Sequence, residues 1–229
     1  MICVPIKARS LRELKTKAKA LPKEIDLIEV WIDQLPKDID PGAIISACPK
    51  PLIIVNKPMR ERGLWRGSEQ DRIKRLMQFI HPGVAFIDIG LDSGNILIKA
   101  LVKAARSFRG KSGKKPEIIV SYHNFKSTQT AEILEQKVKK GFGVGADMVK
   151  IATFAQTAQN NITVLSLLAK TKKPLTAFCM GEKGKISRLA GERLGSIINF
   201  VAAGPAAKTA PGQLTLAEYK RFDCLFKKN

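Results

Sequence analysis

Residues 117–152 read EIIVSYHNFKSTQTAEILEQKVKKGFGVGADMVKIA, a run rich in Val and Ile at 117–122, a segment of helical character, and a second such run at 146–152. Gly141-Phe-Gly-Val-Gly145 lies just before the second run. Its glycines therefore fit a tight helix-to-strand turn rather than a phosphate cradle, which sits between a strand and the helix that follows it. The same alternation extends outward over the whole chain. Short apolar runs recur at 2–6, 27–32, 52–55, 84–91, 117–122, 146–152, 175–178 and 196–201, with helical segments between them, from 11–21 to 214–226. Eight strands each followed by a helix predict an α/β fold, a (β/α)8 barrel, and 229 residues fit one such domain over 1–229. The competing arrangement is an open doubly wound sheet. No Gly-x-Gly-x-x-Gly follows the first strand, which counts against its dinucleotide-binding form.

Helix starts carry chemical marks. Ser10 with Glu13 and Ser68 with Asp71 place a hydroxyl three residues before a carboxylate, and Asp40-Pro41 places a cap before a proline at the first helical position. Strand alternation then orients side chains, because successive residues point to opposite faces. In the second strand Ile28, Val30 and Ile32 face the helices, which directs Glu29, Trp31 and Asp33 into the barrel. The same reasoning directs Asp88 and Gly90, Ser121 and His123, and Met148, Lys150 and Ala152 inward. Polar groups near the carboxyl ends of barrel strands are where such folds keep their chemistry. For Asp33 and Asp88 a structural reading is favoured, as paired carboxylates that fix the barrel.

Lys150 is the sharpest signal. A lysine in mid-strand between apolar neighbours is costly to bury without a purpose. One strand earlier stands His123. An amine beside an imidazole is equipment for imine chemistry on a ketone, with proton transfer at the neighbouring carbon. A free amine at Lys150 is expected from burial and a nearby cation such as Arg188.

Composition narrows the partners. Forty basic and 20 acidic residues give a net charge of +20, which favours anionic ligands. The basic tracts at 103–115, 137–140, 170–173 and 220–228 fall at helix ends or in the following loops, where cations suit the helix dipole. They lack the interleaved aromatics of a base-stacking platform, so nucleic acid is not the expected partner. Cys3, Cys48, Cys179 and Cys224 form no Cys-x-x-Cys and only two histidines are present, so no metal site and no disulfide scaffold is signalled. Cys3 and Cys179 read as core residues. The first apolar run is too short for a signal peptide and none reaches membrane-spanning length, so a cytoplasmic protein with no membrane partner is expected.

Several of these stretches, taken in order, resemble the type I 3-dehydroquinate dehydratase family, the Schiff-base enzymes of the shikimate pathway. Glu29-Val-Trp-Ile-Asp33 is similar to the family's Glu-x-Arg-x-Asp strand, and the Ser-Tyr-His-Asn-Phe of 121–125 and the Val-Lys-Ile-Ala of 149–152 match directly. Met180-Gly181, Ser187-Arg188 and Ala210-Pro-Gly-Gln213 follow in the family's order, so the resemblance runs from residue 4 to residue 219. It implies a homodimeric barrel without a cofactor that removes water from a small anion, 3-dehydroquinate, to give 3-dehydroshikimate. It further implies that Lys150 forms the imine, that His123 is the acid–base group, and that Glu61 orients and polarises the histidine. Arg188, Gln213 and Thr209, the last in place of a serine, match groups that hold the substrate carboxylate. Glu29 and Lys57 match groups that meet the ring hydroxyls.

Four positions depart from the family pattern. Trp31 and Lys57 stand for arginines, Arg62 for the first glycine of Glu-Gly-Gly, and Gly90 for a strand-four glutamate. Lysine lacks arginine's fixed fork of donors. Losing the Trp31 and Gly90 partners together would remove an ion pair without stranding either charge, and the indole is expected to fill the space beside Gly90. Such changes keep two alternatives open: another imine-forming barrel such as an aldolase, and a weakly active relative that binds anionic metabolites. The Ala/Gly/Pro-rich segment 202–213 reads as a loop that closes over a bound anion.

Overall fold

Eight strands and eight α-helices alternate along the chain in a computed structural model that describes residues 1–109 and 114–225. The strands are β1 (Ile2–Ile6), β2 (Leu27–Trp31), β3 (Leu52–Val55), β4 (Val84–Gly90), β5 (Glu117–His123), β6 (Met148–Phe154), β7 (Leu175–Met180) and β8 (Asn199–Phe200). The helices are α1 (Leu11–Lys19), α2 (Pro41–Ser46), α3 (Glu69–Met77), α4 (Asn95–Ser107), α5 (Ala131–Gly143), α6 (Gln159–Lys170), α7 (Lys185–Ala190) and α8 (Leu216–Asp223). The strands are all parallel in the order β7-β6-β5-β4-β3-β2-β1-β8. A bridge between Leu175 and Ser196, with Ile197 N–H donating to the Leu175 carbonyl at 3.0 Å, joins the two ends and nearly closes the barrel. The open doubly wound alternative is thereby excluded.

The anticipated helix starts form as capped ends. Ser10 accepts from Glu13 N–H at 3.2 Å, Asp40 from Ala43 N–H at 2.8 Å and Ser68 from Asp71 N–H at 3.0 Å. Thr215 and Glu218 add a reciprocal capping box at α8. At the Gly141–Gly145 turn a Cβ on Gly141 would fall 2.7 Å from the Val149 side chain, and Gly145 has φ of 101°, so both positions require glycine. Alternation along the strands splits the apolar core in two. Ile28, Val30, Ile32, Ile54, Ile87, Val120, Val149 and Ile151 pack outward against the helices, while Leu27, Trp31, Ile53, Phe86, Ile119, Met148 and Phe178 fill the lumen. Each fully buried aliphatic side chain contributes roughly 1.5–3 kcal/mol of transfer free energy. Cys3 lies in the inner cluster and Cys179 in the outer.

Several strand ends differ from the sequence expectation. β2 stops at Trp31, because residues 32–34 wind into a 3-10 turn closed by Leu35 N–H donating to the Ile32 carbonyl at 3.3 Å. β8 covers two residues rather than 196–201, because Ile198 N–H donates to the Thr176 hydroxyl instead of a strand carbonyl. The end of the 214–226 segment and parts of the basic tracts at 103–115 and 220–228 lie outside the described residues.

Candidate active site

The eight residues singled out from the sequence come from six different strand–loop units, yet all line one cavity at the carboxyl end of the barrel: Glu29, Lys57, Glu61, His123, Lys150, Arg188, Thr209 and Gln213. Lys150, on β6, is 4 % exposed. Its Nζ lies 3.2 Å from Glu29 Oε2 and 3.3 Å from Asp88 Oδ2, and 3.9 Å from the centre of the Phe200 ring. The expectation that Arg188 is the cation beside Lys150 is corrected here: the charged groups in contact with Lys150 are carboxylates, and the cation that shares Asp88 with it is Lys57. Arg188 instead sits 4.2 Å over the Phe178 ring.

Lys57 leaves β3 and links two carboxylates, Glu61 Oε2 at 3.0 Å and Asp88 Oδ1 at 3.3 Å. Burial alone would lower the Lys57 pKa, but Asp88, Glu61 and Glu29 outweigh it and raise it. The reciprocal holds for the carboxylates. Burial pushes Asp88 up, yet Lys57, Lys150 and His123 hold it down at about 2, and Glu61 is held well below the usual carboxylate range against its own burial by Lys57 and His123. Ser121 donates to Asp88 at 2.6 Å. Asp88 does not line the cavity but lies buried between Lys57 and Lys150, and its inward strand position in the sequence is the signal for that place.

His123 ends β5 with Nδ1 3.2 Å from Glu61 Oε2. Nδ1 has no aligned hydrogen-bond partner, so the contact becomes an ion pair only when the ring is protonated. Burial lowers the histidine pKa from its ordinary 6.5, Lys57 adds to the fall, and Glu61 opposes it. The imidazole stacks on Phe125 at 5.8 Å and 8° between planes, and Arg62 lies 4.6 Å over the far ring. Arg62 lines the mouth with φ of 64°, the left-handed region, and is the sole non-glycine residue there among those described. Nothing in the sequence pattern signalled that stack.

Arg188, 7 % exposed, leaves Nε and Nη2 without a partner, and burial lowers its pKa to about 10. Two orphaned donors on a buried cation form a socket for an anion. Opposite, Gln213 Oε1 accepts from Thr209 N–H at 2.7 Å and from its hydroxyl at 3.1 Å. The loop carrying them is tied to the end of β7, where Gly181 N–H donates to Pro211 at 2.9 Å and a Cβ on Gly212 would meet the Gly181 carbonyl at 2.1 Å.

The inward assignment of Asp33 and the packing expected for Trp31 are corrected. Asp33 serves the loop after β3, accepting from Lys57 N–H and Leu64 N–H, each at 2.9 Å. The Trp31 indole does not fill the space beside Gly90. It donates to Glu29 Oε1 at 2.8 Å with Lys7 4.0 Å above its ring, and a Cβ on Gly90 would meet the Glu61 carboxylate instead. Among the described residues no cluster of His, Cys, Asp and Glu could hold a metal, and no helix is long and apolar enough to cross a membrane.

Comparison with known proteins supplies an independent line. Residues 2–223 match the family model described as type I 3-dehydroquinase. A 3-dehydroquinate dehydratase from Methanococcus maripaludis strain S2 is 34% identical over 220 residues, covering 96% of this chain and 97% of its own. One from Methanocaldococcus jannaschii is 32% identical, covering 96% of both. Among solved structures, type I 3-dehydroquinate dehydratase from Clostridium difficile, with covalently modified comenic acid, superposes with a TM-score of 0.86 at 25% identity over 100% of this chain and 92% of that one.

Proposed function

The chain belongs to the type I 3-dehydroquinase family, and from that membership we propose the parts its own residues take in the reaction. It is a lyase that converts 3-dehydroquinate to 3-dehydroshikimate and water through a Schiff base on a lysine. Lys150 is that lysine. Its amine adds to the substrate ketone and one water leaves, giving a protonated imine. The imine draws electrons from the adjacent carbon, so a neutral imidazole suffices to take the proton there. His123 takes it, and its burial favours that neutral form. As imidazolium it then protonates the departing hydroxyl, and water hydrolyses the imine to free the product and Lys150. One water is consumed for each released in forming the imine, so the net loss is the substrate's own.

Arg188 receives the substrate carboxylate, with Thr209 and Gln213 beside it. Glu29 and Lys57 meet the ring hydroxyls, and Glu61 holds the charge balance around His123. The observation that carries these assignments is the placement of Lys150, His123 and the orphaned Arg188 donors on one cavity. Glu29 and Asp88 are the groups within reach of the proton that Lys150 sheds before attack. A homodimer in the cytoplasm is part of the same reading, and light scattering of the purified protein tests the stoichiometry.

Incubation with 3-dehydroquinate and borohydride tests the mechanism. A reduced adduct on the Lys150 peptide and a rise in enone absorbance are expected. Lys150→Ala abolishes both, whereas His123→Ala keeps the adduct and lowers turnover by about 10²–10⁴-fold. Full activity in Lys150→Ala would overturn the imine assignment, and an adduct without enone would mark another imine-forming barrel.

A further inference from the structure

Gly90 closes β4 with φ of −66° and ψ of 139°, a conformation open to any residue, so its backbone does not call for glycine. Space does. A Cβ at this position would lie 2.5 Å from Glu61 Oε1, 3.5 Å from Cδ and 3.8 Å from Oε2. The other oxygen of that carboxylate is the one that reaches Lys57 at 3.0 Å and His123 Nδ1 at 3.2 Å. One oxygen is thus seated in a notch on β4 while the other faces the proton-transfer group. The two oxygens turn together about the Cγ–Cδ bond, so moving Oε1 out of the notch also moves Oε2 relative to Lys57 and His123.

We propose that the missing side chain of Gly90 is a positioning element for proton transfer: it makes the notch that seats Glu61 Oε1 and thereby sets the distance from Glu61 to His123. This rests on the reading of His123 as the acid–base group. Gly90 touches no reacting atom and acts through Glu61. Burial of the carboxylate, 10 % exposed at its side chain, keeps water from restoring the contact once it is lost.

A double-mutant cycle isolates the effect. Gly90→Ala pushes against Glu61, whereas Glu61→Asp withdraws the carboxylate by one methylene and leaves room for the added methyl. Gly90→Ala is expected to lower kcat by about 10- to 100-fold in the wild-type background, with KM nearly unchanged, and by less than about two-fold in the E61D background. The borohydride-trapped adduct at Lys150 persists in Gly90→Ala. The chain has two histidines, so imidazole NMR resolves His123 against the exposed His81. Displacing Glu61 removes the group that raises the His123 pKa, so its titration midpoint moves down in Gly90→Ala while that of His81 stays. An equal loss from Gly90→Ala in both backgrounds, through kinetics or through failure to fold, overturns the proposal, as does an unmoved His123 midpoint. Failure of the underlying functional reading is separate: the wild-type protein would then give neither adduct nor enone, while the NMR titration would still report on the notch.

Discussion

Lys150 shows how one side chain's chemistry depends on charges supplied from elsewhere in the chain. Three carboxylates, Glu29, Glu61 and Asp88, meet two ammonium groups, Lys57 and Lys150, and the set is shared rather than paired off. Removing one member would leave its neighbours buried with unpaired charge, the costly way to break such a network. His123 stands at the edge of the set and feels its balance. Burial and Lys57 lower its pKa below 6.5, so the acid limb of kcat/KM is expected below that value. Lys57→Gln removes a cation acting against the imidazolium, so the limb moves to higher pH. Stopped assays from pH 4.5 to 8 check both statements, and a limb at or above 6.5 in the wild type would contradict the first.

At the scale of elements, the loops after β3 and β8 place the site, and each depends on backbone that most residues resist. Residues 57–65 are folded over the strand end by Asp33, which gathers the Lys57 and Leu64 N–H groups, and by Gly63, where a Cβ would fall 1.9 Å from the Lys57 carbonyl. Arg62 in this turn holds φ of 64° without being glycine, a conformation that costs an L-residue roughly 1–2 kcal/mol, partly offset by the greater unfolded-state freedom of glycine. Arg62→Gly is therefore expected to raise Tm by about 2–4 °C for a gain near 1 kcal/mol. Gly212, at φ of 69° against the Gly181 carbonyl, is the opposite case. Gly212→Ala lowers Tm and detaches the Thr209–Gln213 end of the loop, which differential scanning calorimetry and the KM for substrate report together.

The whole molecule carries a net charge of +20, and a cation field of that size steers a small anion toward the cavity that Arg188 lines. Salt shortens the range of the field, so kcat/KM is expected to fall about two- to ten-fold between 0.01 and 0.15 M ionic strength with kcat unchanged. A flat salt response would assign the surplus charge to the surface alone. The barrel itself was legible in sequence because strand period and helix period are local properties of the chain, and the inward direction of Glu29, His123 and Lys150 followed from alternation. Strand ends were less legible: Asp33 left the inward face because the loop after β3 offered its carboxylate two N–H groups, a partner set that no local pattern shows. The same applies to the space beside Gly90, which strand alternation offers to Trp31 and Glu61 takes. The residue types and their order along the strands by themselves determined the eightfold α/β repeat, the family and the inward direction of Lys150. Only the tertiary structure decided which charges share the cavity, that Lys150 meets carboxylates rather than Arg188, and that Gly90 seats Glu61, because these depend on distances between side chains of different strands, which the packed barrel sets and no local pattern shows.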